Sequence, residues 1–197
     1  MRILFFGTPE FAVPSLAVLV ENGFEVVGVV TAPDKPAGRG QKIHFSAVKE
    51  YALSKGLQLF QPTNLKDKLF LDSMQKLQPD LGIVVAFRMM PVELWSMPKL
   101  GTFNLHGSLL PQYRGAAPIQ RALMNGEKVT GVTTFFLKHA IDTGGIIFRE
   151  EIPIIPGENA GELHDRMMEK GAALVLKTVK ATCSSAYASW IRTHPLL

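Results

Sequence analysis

The stretch LGIVVA, residues 81–86, is an uninterrupted apolar run that begins directly after Pro79-Asp80. Its length and its content of β-branched residues predict a strand buried on both faces, as in the interior of a parallel sheet. Residues 2–6 are almost as apolar, and Gly7-Thr8-Pro9 ends that run. Two such strands require helices on both faces of their sheet, because each face must be shielded from water.

Around these two strands, short β-branched or aromatic runs alternate with segments of helical periodicity. We expect helices at about 14–21, 45–55, 65–77 and 117–125, and further strands at 25–31, 57–60 and 102–106. The alternation predicts right-handed βαβ units. The fold class is therefore α/β, with a Rossmann-like, mostly parallel twisted sheet and helices on both of its faces.

The pattern changes after residue 125. Residues 129–138 and 146–152 form two long strand-like runs without a helix between them, which predicts a mixed or antiparallel edge. Asn159 is placed to cap a last helix that runs to about Thr182. We therefore assign residues 1–182 to one domain, and we leave residues 183–197 as an unassigned tail.

Composition narrows the class of protein. The chain has 197 residues, 1 cysteine and no Cys/His cluster at metal-ligand spacing, so neither a disulfide framework nor a metal is expected. The N-terminal apolar run is too short for a signal peptide, and no run approaches the roughly 20 apolar residues of a membrane span. We expect a cytoplasmic protein without a membrane partner. A net charge of +4 is compatible with a polyanionic partner but does not require one.

Two polar residues that could take part in catalysis lie at the end of the strand predicted at 102–106. Asn104 and His106 share one face of that strand, because side chains alternate with a period of two. An amide donor and an imidazole at one point can polarise a carbonyl and exchange protons near neutral pH. From spacing alone, a turn-forming Asn104 and a hydrogen-bonded core His106 are equally good interpretations.

Asp142-Thr143-Gly144 follows the first of the two long strands. A solvated turn is the better interpretation of Asp142 from its local sequence. A carboxylate near His106 would alternatively orient the imidazole ring and stabilise its protonated form.

Five motifs occur along the chain in a fixed order. They are GTPEF at 7–11, KPAGRG at 35–40, NLHGSLLP at 104–111, YRGAAPIQ at 113–120 and DTG at 142–144. This set resembles the folate-dependent formyltransferase family, and within it the methionyl-tRNA formyltransferases. The similarity runs from Met1 to about Ala181.

The resemblance implies a formyltransferase fold and an enzyme that moves a formyl group from 10-formyltetrahydrofolate to the α-amino group of methionyl initiator tRNA. It implies that Asn104, His106 and Asp142 are catalytic and that transfer is direct, without a covalent enzyme intermediate. Asn104 and His106 would stabilise the oxyanion, and Asp142 would position His106.

The resemblance also implies a folate site. Its expected contacts are Ser108, Leu109, Leu110 and Pro111, with Phe87, Arg88 and Met89 as a second wall. The segment Arg88-Met89-Met90 departs from the small, glycine-containing sequence of much of the family. We therefore expect this wall of the pocket to differ in detail.

Positive residues cluster between 34 and 55, where Lys35, Arg39, Lys42, Lys49 and Lys55 outnumber two acids. Charge alone favours a solvated loop without a partner. The resemblance instead implies that this loop engages the acceptor end of the tRNA, with Arg39 as the leading contact and Lys42 in support. The family normally continues into a C-terminal β-barrel domain for tRNA, which we expect this chain to lack. We expect a monomer.

Two alternatives stay open. A related formyltransferase could act on a small amine, such as glycinamide ribonucleotide or a nucleotide-linked amino sugar, and the short chain favours that reading. The segment 114–119 and the basic loop argue for the tRNA substrate. An inactive tRNA-binding fragment would predict a broken catalytic triad. A dinucleotide-dependent dehydrogenase is excluded, because Gly7-Thr8-Pro9 is not the Gly-x-Gly-x-x-Gly turn that a pyrophosphate requires.

Overall fold

A computed structural model describes residues 1–37, 42–138 and 144–183 of the chain. These residues belong to two compact units, Met1–Gly101 and a second unit that begins at Thr102. The prediction of one domain over residues 1–182 stays a prediction.

The first unit contains six strands and four α-helices among its described residues. In chain order they are β1 (Arg2–Gly7), α1 (Val13–Glu21), β2 (Glu25–Val30), β3 (Lys35–Ala37), β4 (Lys42–His44), α2 (Ala47–Ser54), β5 (Leu59–Phe60), α3 (Lys68–Lys76), β6 (Leu81–Val85) and α4 (Val92–Trp95). A short 3₁₀ helix, Glu10–Ala12, precedes α1.

Four strands of the first unit form a parallel array in the order β5-β2-β1-β6. Every residue of β6 is buried, and in β1 the residues from Ile3 onward are buried as well. Phe5 and Phe6 contribute two of the largest fully buried side chains. The prediction of buried parallel strands is confirmed.

Two helices of the first unit, α2 and α3, start later than the apolar pattern predicted. Asp67 accepts a hydrogen bond from the backbone of Phe70 at 2.9 Å, so α3 starts at Lys68 rather than at residue 65. Ser46 accepts one from the backbone of Lys49 at 3.1 Å, which starts α2 at Ala47. A capping side chain decides the first helical residue, so the apolar residue shortly before each cap is not helical: Leu65 is buried outside α3, and Phe45 is exposed outside α2.

Three elements of the first unit, β3, β4 and α4, were absent from the prediction, as was the short 3₁₀ helix. The segment expected as loop at 32–42 contains β3, which pairs antiparallel with β4. The short helix α4 follows Pro91, whose fixed φ suits the residue before a helix.

The second unit contains β7 (Thr102–His106), α5 (Pro118–Met124), β8 (Val129–Phe136), β9 (Ile146–Pro153) and α6 (Ala160–Thr182). Its strands have the order β7-β8-β9, and both pairings are antiparallel. The predicted fold class, a parallel α/β array that continues into antiparallel strands, is confirmed.

Helix α6 starts and ends where the sequence predicted. The Asn159 side chain accepts hydrogen bonds from the backbone of Gly161 and Glu162, and Glu162 bonds back to the backbone of Asn159. This reciprocal capping box satisfies donors that a helix start otherwise leaves open. None of the helices in the described part of the chain combines the length and apolar character needed to cross a bilayer.

Helix α6 covers one face of the antiparallel strands. Thr134 of β8 bonds to Thr178 of α6 at 2.9 Å, and the Lys177 ammonium lies 4.6 Å from the ring centre of Phe148 in β9. Since strand side chains alternate, the residues next to Thr134 in sequence point to the opposite face. That opposite face is where Asn104 and His106 lie.

The connection from β8 to β9 depends on a glycine. The backbone N–H of Phe136 donates to the carbonyl of Gly145 at 3.0 Å, which brings Gly144 against the Phe136 backbone. A Cβ at Gly144 would overlap the Phe136 carbonyl oxygen, whereas one at Gly145 would meet nothing within 4 Å.

Gly144→Ala should therefore destabilise the protein by about 1–3 kcal/mol, the usual cost of forcing atoms into a packed region. Gly145→Ala is the matched control and should change the free energy of unfolding by less than about 0.5 kcal/mol. Urea unfolding followed by circular dichroism measures both. Equal stabilities of the two variants would contradict the close approach at Gly144.

Candidate active site

Strand β7 brings Asn104 and His106 to one face of the second unit. Asn104 is half-buried opposite Phe135, and His106 is 8% exposed opposite Thr133. Leu105 between them is buried and is paired with Thr134, whose side chain bonds to α6. Both side chains therefore lie on one face of β7, as their spacing in the sequence predicted.

The His106 ring is oriented by the loop that follows β7. Its Nε2 lies 2.9 Å from the backbone carbonyl oxygen of Tyr113. A carbonyl oxygen can only accept a hydrogen bond, so Nε2 must carry the proton. This contact determines which tautomer the neutral ring adopts, and it holds the ring at the end of β7.

The segment Ser108–Pro111 is anchored by a buried threonine of β8. The Thr133 hydroxyl donates to the carbonyl of Ser108 at 2.7 Å and accepts from the backbone N–H of Leu110 at 3.1 Å. Thr133 is fully buried. One hydroxyl thus satisfies two backbone groups that water cannot reach.

Residues of the predicted folate segment differ in what they can offer a ligand. Ser108 is fully buried, and its hydroxyl donates to the Gln112 carbonyl at 2.6 Å. Leu110 is 2% exposed, whereas Leu109 is half-buried and Pro111 is exposed. The apolar surface that this segment presents therefore comes from Leu109 and Pro111.

Gly131 of β8 makes room for Leu109. A Cβ built at Gly131 would lie 2.5 Å from Leu109 Cδ2 and would also overlap the carbonyl oxygen of Glu150. A side chain at this position would displace Leu109 from the sheet. Gly131 therefore determines how closely the predicted folate segment packs on β8.

Three supporting residues, Thr133, Gly131 and Tyr113, were not predicted from the sequence. Gly131 and Thr133 interrupt the strand-like run 129–138, where a buried face usually carries apolar residues. Their presence could have indicated a special role in the strand. Tyr113 has a positive φ of 56°, which its residue type does not reveal.

In the first unit, the predicted second wall follows β6. The Phe87 ring is half-buried, with its centre 5.7 Å from that of Phe6. Arg88 is exposed and donates to the carbonyl of Thr63 at 3.1 Å, and Met89 is 72% exposed. Arg88 thus ties this segment to a neighbouring loop, and Met89 is available to a ligand.

Lys49 does not belong to the exposed positive charge of the basic loop. It is 9% exposed, and its ammonium lies 2.5 Å from a carboxylate oxygen of Asp34. The hydrogen bond from Lys49, together with one from Gln61, lowers the pKa of Asp34 below its usual value. Lys49 therefore adds no free positive charge to the basic loop, because Asp34 neutralises it.

The remaining predicted site residues are described in part or not at all. Lys42 lies in β4, where its backbone pairs with that of Ala37. Arg39 and Asp142 lie outside the described residues. Within the described ranges, no group of three or more His, Cys, Asp or Glu side chains is arranged to bind a metal ion.

Known proteins resemble the chain in sequence. It is 62% identical to a methionyl-tRNA formyltransferase of Flavobacterium johnsoniae over 180 residues, which are 91% of this chain and 57% of that protein. It is 58% identical to a methionyl-tRNA formyltransferase of Bacteroides fragilis over 181 residues, 92% of this chain and 56% of that protein. The chain therefore spans little more than half the length of these relatives.

Solved structures resemble it in fold. A phosphoribosylglycinamide formyltransferase of Streptococcus pneumoniae superimposes with a TM-score of 0.78 at 21% identity, covering 93% of this chain and 99% of that one. An N-formyltransferase of Helicobacter canadensis, solved with folinic acid and dTDP-3-aminofucose, gives a TM-score of 0.69 at 26% identity. The match covers 91% of this chain and 63% of that one.

The predicted formyltransferase fold is thus shared with solved enzymes, and the resemblance inferred from the five motifs is confirmed by the relatives. The family model described as formyl transferase matches residues 1–179. That match covers nearly the whole chain of 197 residues, so the chain belongs to the formyl transferase family.

Proposed function

We propose that this chain transfers a formyl group from 10-formyltetrahydrofolate to the α-amino group of methionyl initiator tRNA. The observation that carries the proposal is the 62% identity with a methionyl-tRNA formyltransferase over 91% of the chain. The proposed site lies in that matched region, where Asn104 and His106 share one face of β7.

A small-amine substrate is the second candidate. One solved structure was obtained with dTDP-3-aminofucose, but that enzyme is 26% identical to this chain. The methionyl-tRNA formyltransferases are more than twice as similar in sequence. An inactive fragment is the third candidate, and the paired placement of Asn104 and His106 argues against it.

The folate substrate supplies the formyl group, and the residues of the second unit suit its apolar ring system. Leu109 and Pro111 present apolar surface, and the segment between them is held by Thr133. The hydroxyl of Ser108 is already used by Gln112, so we propose that Ser108 contributes through its position in the segment. Phe87, Arg88 and Met89 are proposed as further contacts.

The proposed chemistry is direct transfer between nitrogens. The neutral amine of the acceptor forms the new bond to the formyl carbon, the bond to the folate nitrogen breaks, and the proton lost by the amine passes to that nitrogen. Asn104 would donate a hydrogen bond to the formyl oxygen as negative charge develops there. His106, oriented by the Tyr113 carbonyl, would take part in moving the proton and would stabilise that charge in its protonated form.

Asp142 completes the proposal as the group that stabilises the protonated His106 ring. Arg39 and Lys42 are proposed to contact the phosphates of the tRNA acceptor end. Strand β3 begins directly after Asp34, whose carboxylate accepts hydrogen bonds from Lys49 and Gln61. A cytoplasmic location and a monomeric chain are part of the same proposal.

His106→Ala should lower kcat for formyl transfer by about 10² or more, the usual scale for one positioned acid–base or oxyanion group. Transfer from 10-formyltetrahydrofolate to methionyl initiator tRNA measures the effect. His164→Ala is the matched control, because His164 lies on α6 beside Asp165, and its activity should match that of the unaltered protein. A His106→Ala variant with most of its turnover would remove His106 from the mechanism.

Thr133→Val should weaken binding of folinic acid roughly tenfold, because the Ser108 carbonyl and the Leu110 N–H lose their buried partner. Titration calorimetry measures the affinity. Thr134→Val removes a hydroxyl from the α6 face of the same strand and should leave the affinity unchanged. If both variants bind folinic acid as the unaltered protein does, the segment 108–111 does not form the folate site.

Arg39→Ala should weaken the salt dependence of tRNA binding. The slope of the logarithm of the binding constant against the logarithm of the salt concentration should become shallower by about one, as expected for one lost phosphate contact. Filter binding of methionyl initiator tRNA at several salt concentrations gives this slope. Lys76→Ala, in the last turn of α3, removes a cation elsewhere and serves as the control. An unchanged slope for Arg39→Ala would exclude the proposed role of the basic loop.

A further inference from the structure

The side chain of Tyr113 is held at its hydroxyl end by residues that follow α5. The hydroxyl donates to the Glu127 carboxylate and accepts from the Asn125 amide at 2.9 Å. The Arg121 guanidinium lies 5.3 Å from the centre of the Tyr113 ring. The bond to Glu127 raises the pKa of the Tyr113 phenol, because the proton is shared with a negatively charged acceptor. We call these contacts the tyrosine pin.

The residues that hold the hydroxyl are themselves fixed to α5. The backbone N–H of Asn125 donates to Arg121 at 3.1 Å, and the backbone N–H of Glu127 donates to Ala122 at 3.1 Å. Ala122 is fully buried. The pin therefore connects Tyr113 to a packed helix end rather than to a freely moving surface group.

The backbone of Tyr113 requires such support. Its φ of 56° lies in the left-handed region, which a residue with a Cβ seldom adopts. Strained backbone of this kind persists where surrounding contacts over-determine it, and it is frequent near functional sites. The pinned side chain and the anchored segment before it supply those contacts.

The same residue carries the carbonyl that accepts the hydrogen bond from the Nε2–H of His106. His106 Nε2 and the Tyr113 carbonyl oxygen are 2.9 Å apart. If Tyr113 rotated to an ordinary backbone conformation, this carbonyl would turn away from the ring. The orientation of His106 therefore depends on a side chain whose own polar group points elsewhere, toward Glu127.

We infer that Tyr113 is a positioning residue for His106: the pin to Glu127 and Asn125 directs the Tyr113 carbonyl at Nε2 and thereby selects the Nε2-protonated tautomer of the ring. The effect on formyl transfer rests on the proposed function. The tautomer of His106 does not, and it can be measured without substrate.

Long-range ¹H–¹⁵N correlation of the histidine rings reads the tautomer directly, with His106 assigned by its absence in His106→Gln. The unaltered protein should show the Nε2-protonated form. Tyr113→Phe and Glu127→Ala both break the pin, and both should populate the Nδ1-protonated form. Glu127→Gln keeps an acceptor oxygen and should retain the original tautomer.

Turnover provides the second measurement. Tyr113→Phe should lower kcat for formyl transfer roughly fivefold, the scale of one net hydrogen bond, with KM for the folate substrate changed by less than about twofold. Glu127→Gln should restore most of kcat. Tyr51→Phe is the control, because its buried hydroxyl has no hydrogen-bond partner among the described residues. It should leave both the tautomer and kcat unchanged.

An unchanged His106 tautomer in Tyr113→Phe and Glu127→Ala would overturn the inference, whatever their turnover. If Tyr113→Phe does not fold, Glu127→Ala tests the same contact with Tyr113 in place. If the unaltered protein transfers no formyl group but its tautomer still follows the pin, the proposed function fails and the positioning role stands.

Discussion

The alternation of side chains along a strand is the constraint on which the second unit depends. In β8, Thr134 bonds to α6, while Thr133 points the opposite way and binds the backbone of the segment that follows β7. In β7, Leu105 is buried between Asn104 and His106, which share the other face. One face is thus closed by a helix, and the other can present polar groups to a substrate.

Individual hydrogen bonds then fix the backbone and side chains on this second face. Thr133 satisfies two buried backbone groups with one hydroxyl, and the carbonyl of Tyr113 determines which nitrogen of His106 carries its proton. Each contact is modest in energy, yet a buried group without its partner would be costly. The positions of the proposed site residues, Asn104 and His106, therefore follow from supporting residues that need not touch any substrate.

Local pattern predicted much of the fold. The buried runs at β1 and β6, the change to antiparallel strands and the capping of α6 by Asn159 were all predictable, because periodicity and capping depend on neighbours in sequence. The starts of α2 and α3 were predicted too early, since apolar residues before a cap resemble the first helical turn. The pairing of β3 with β4 was missed, because glycine and proline mark a turn without excluding a ladder beside it.

By itself, the sequence determined the order of the long strands and helices, the resemblance to the family and the shared face of Asn104 and His106, because each follows from residues close together in the chain. Only the tertiary structure decided that Lys49 is neutralised by Asp34, that Ser108 uses its hydroxyl internally and that Tyr113 orients His106. Those outcomes depend on burial and on hydrogen-bond directions, and residue type and spacing do not encode either one until the chain has folded.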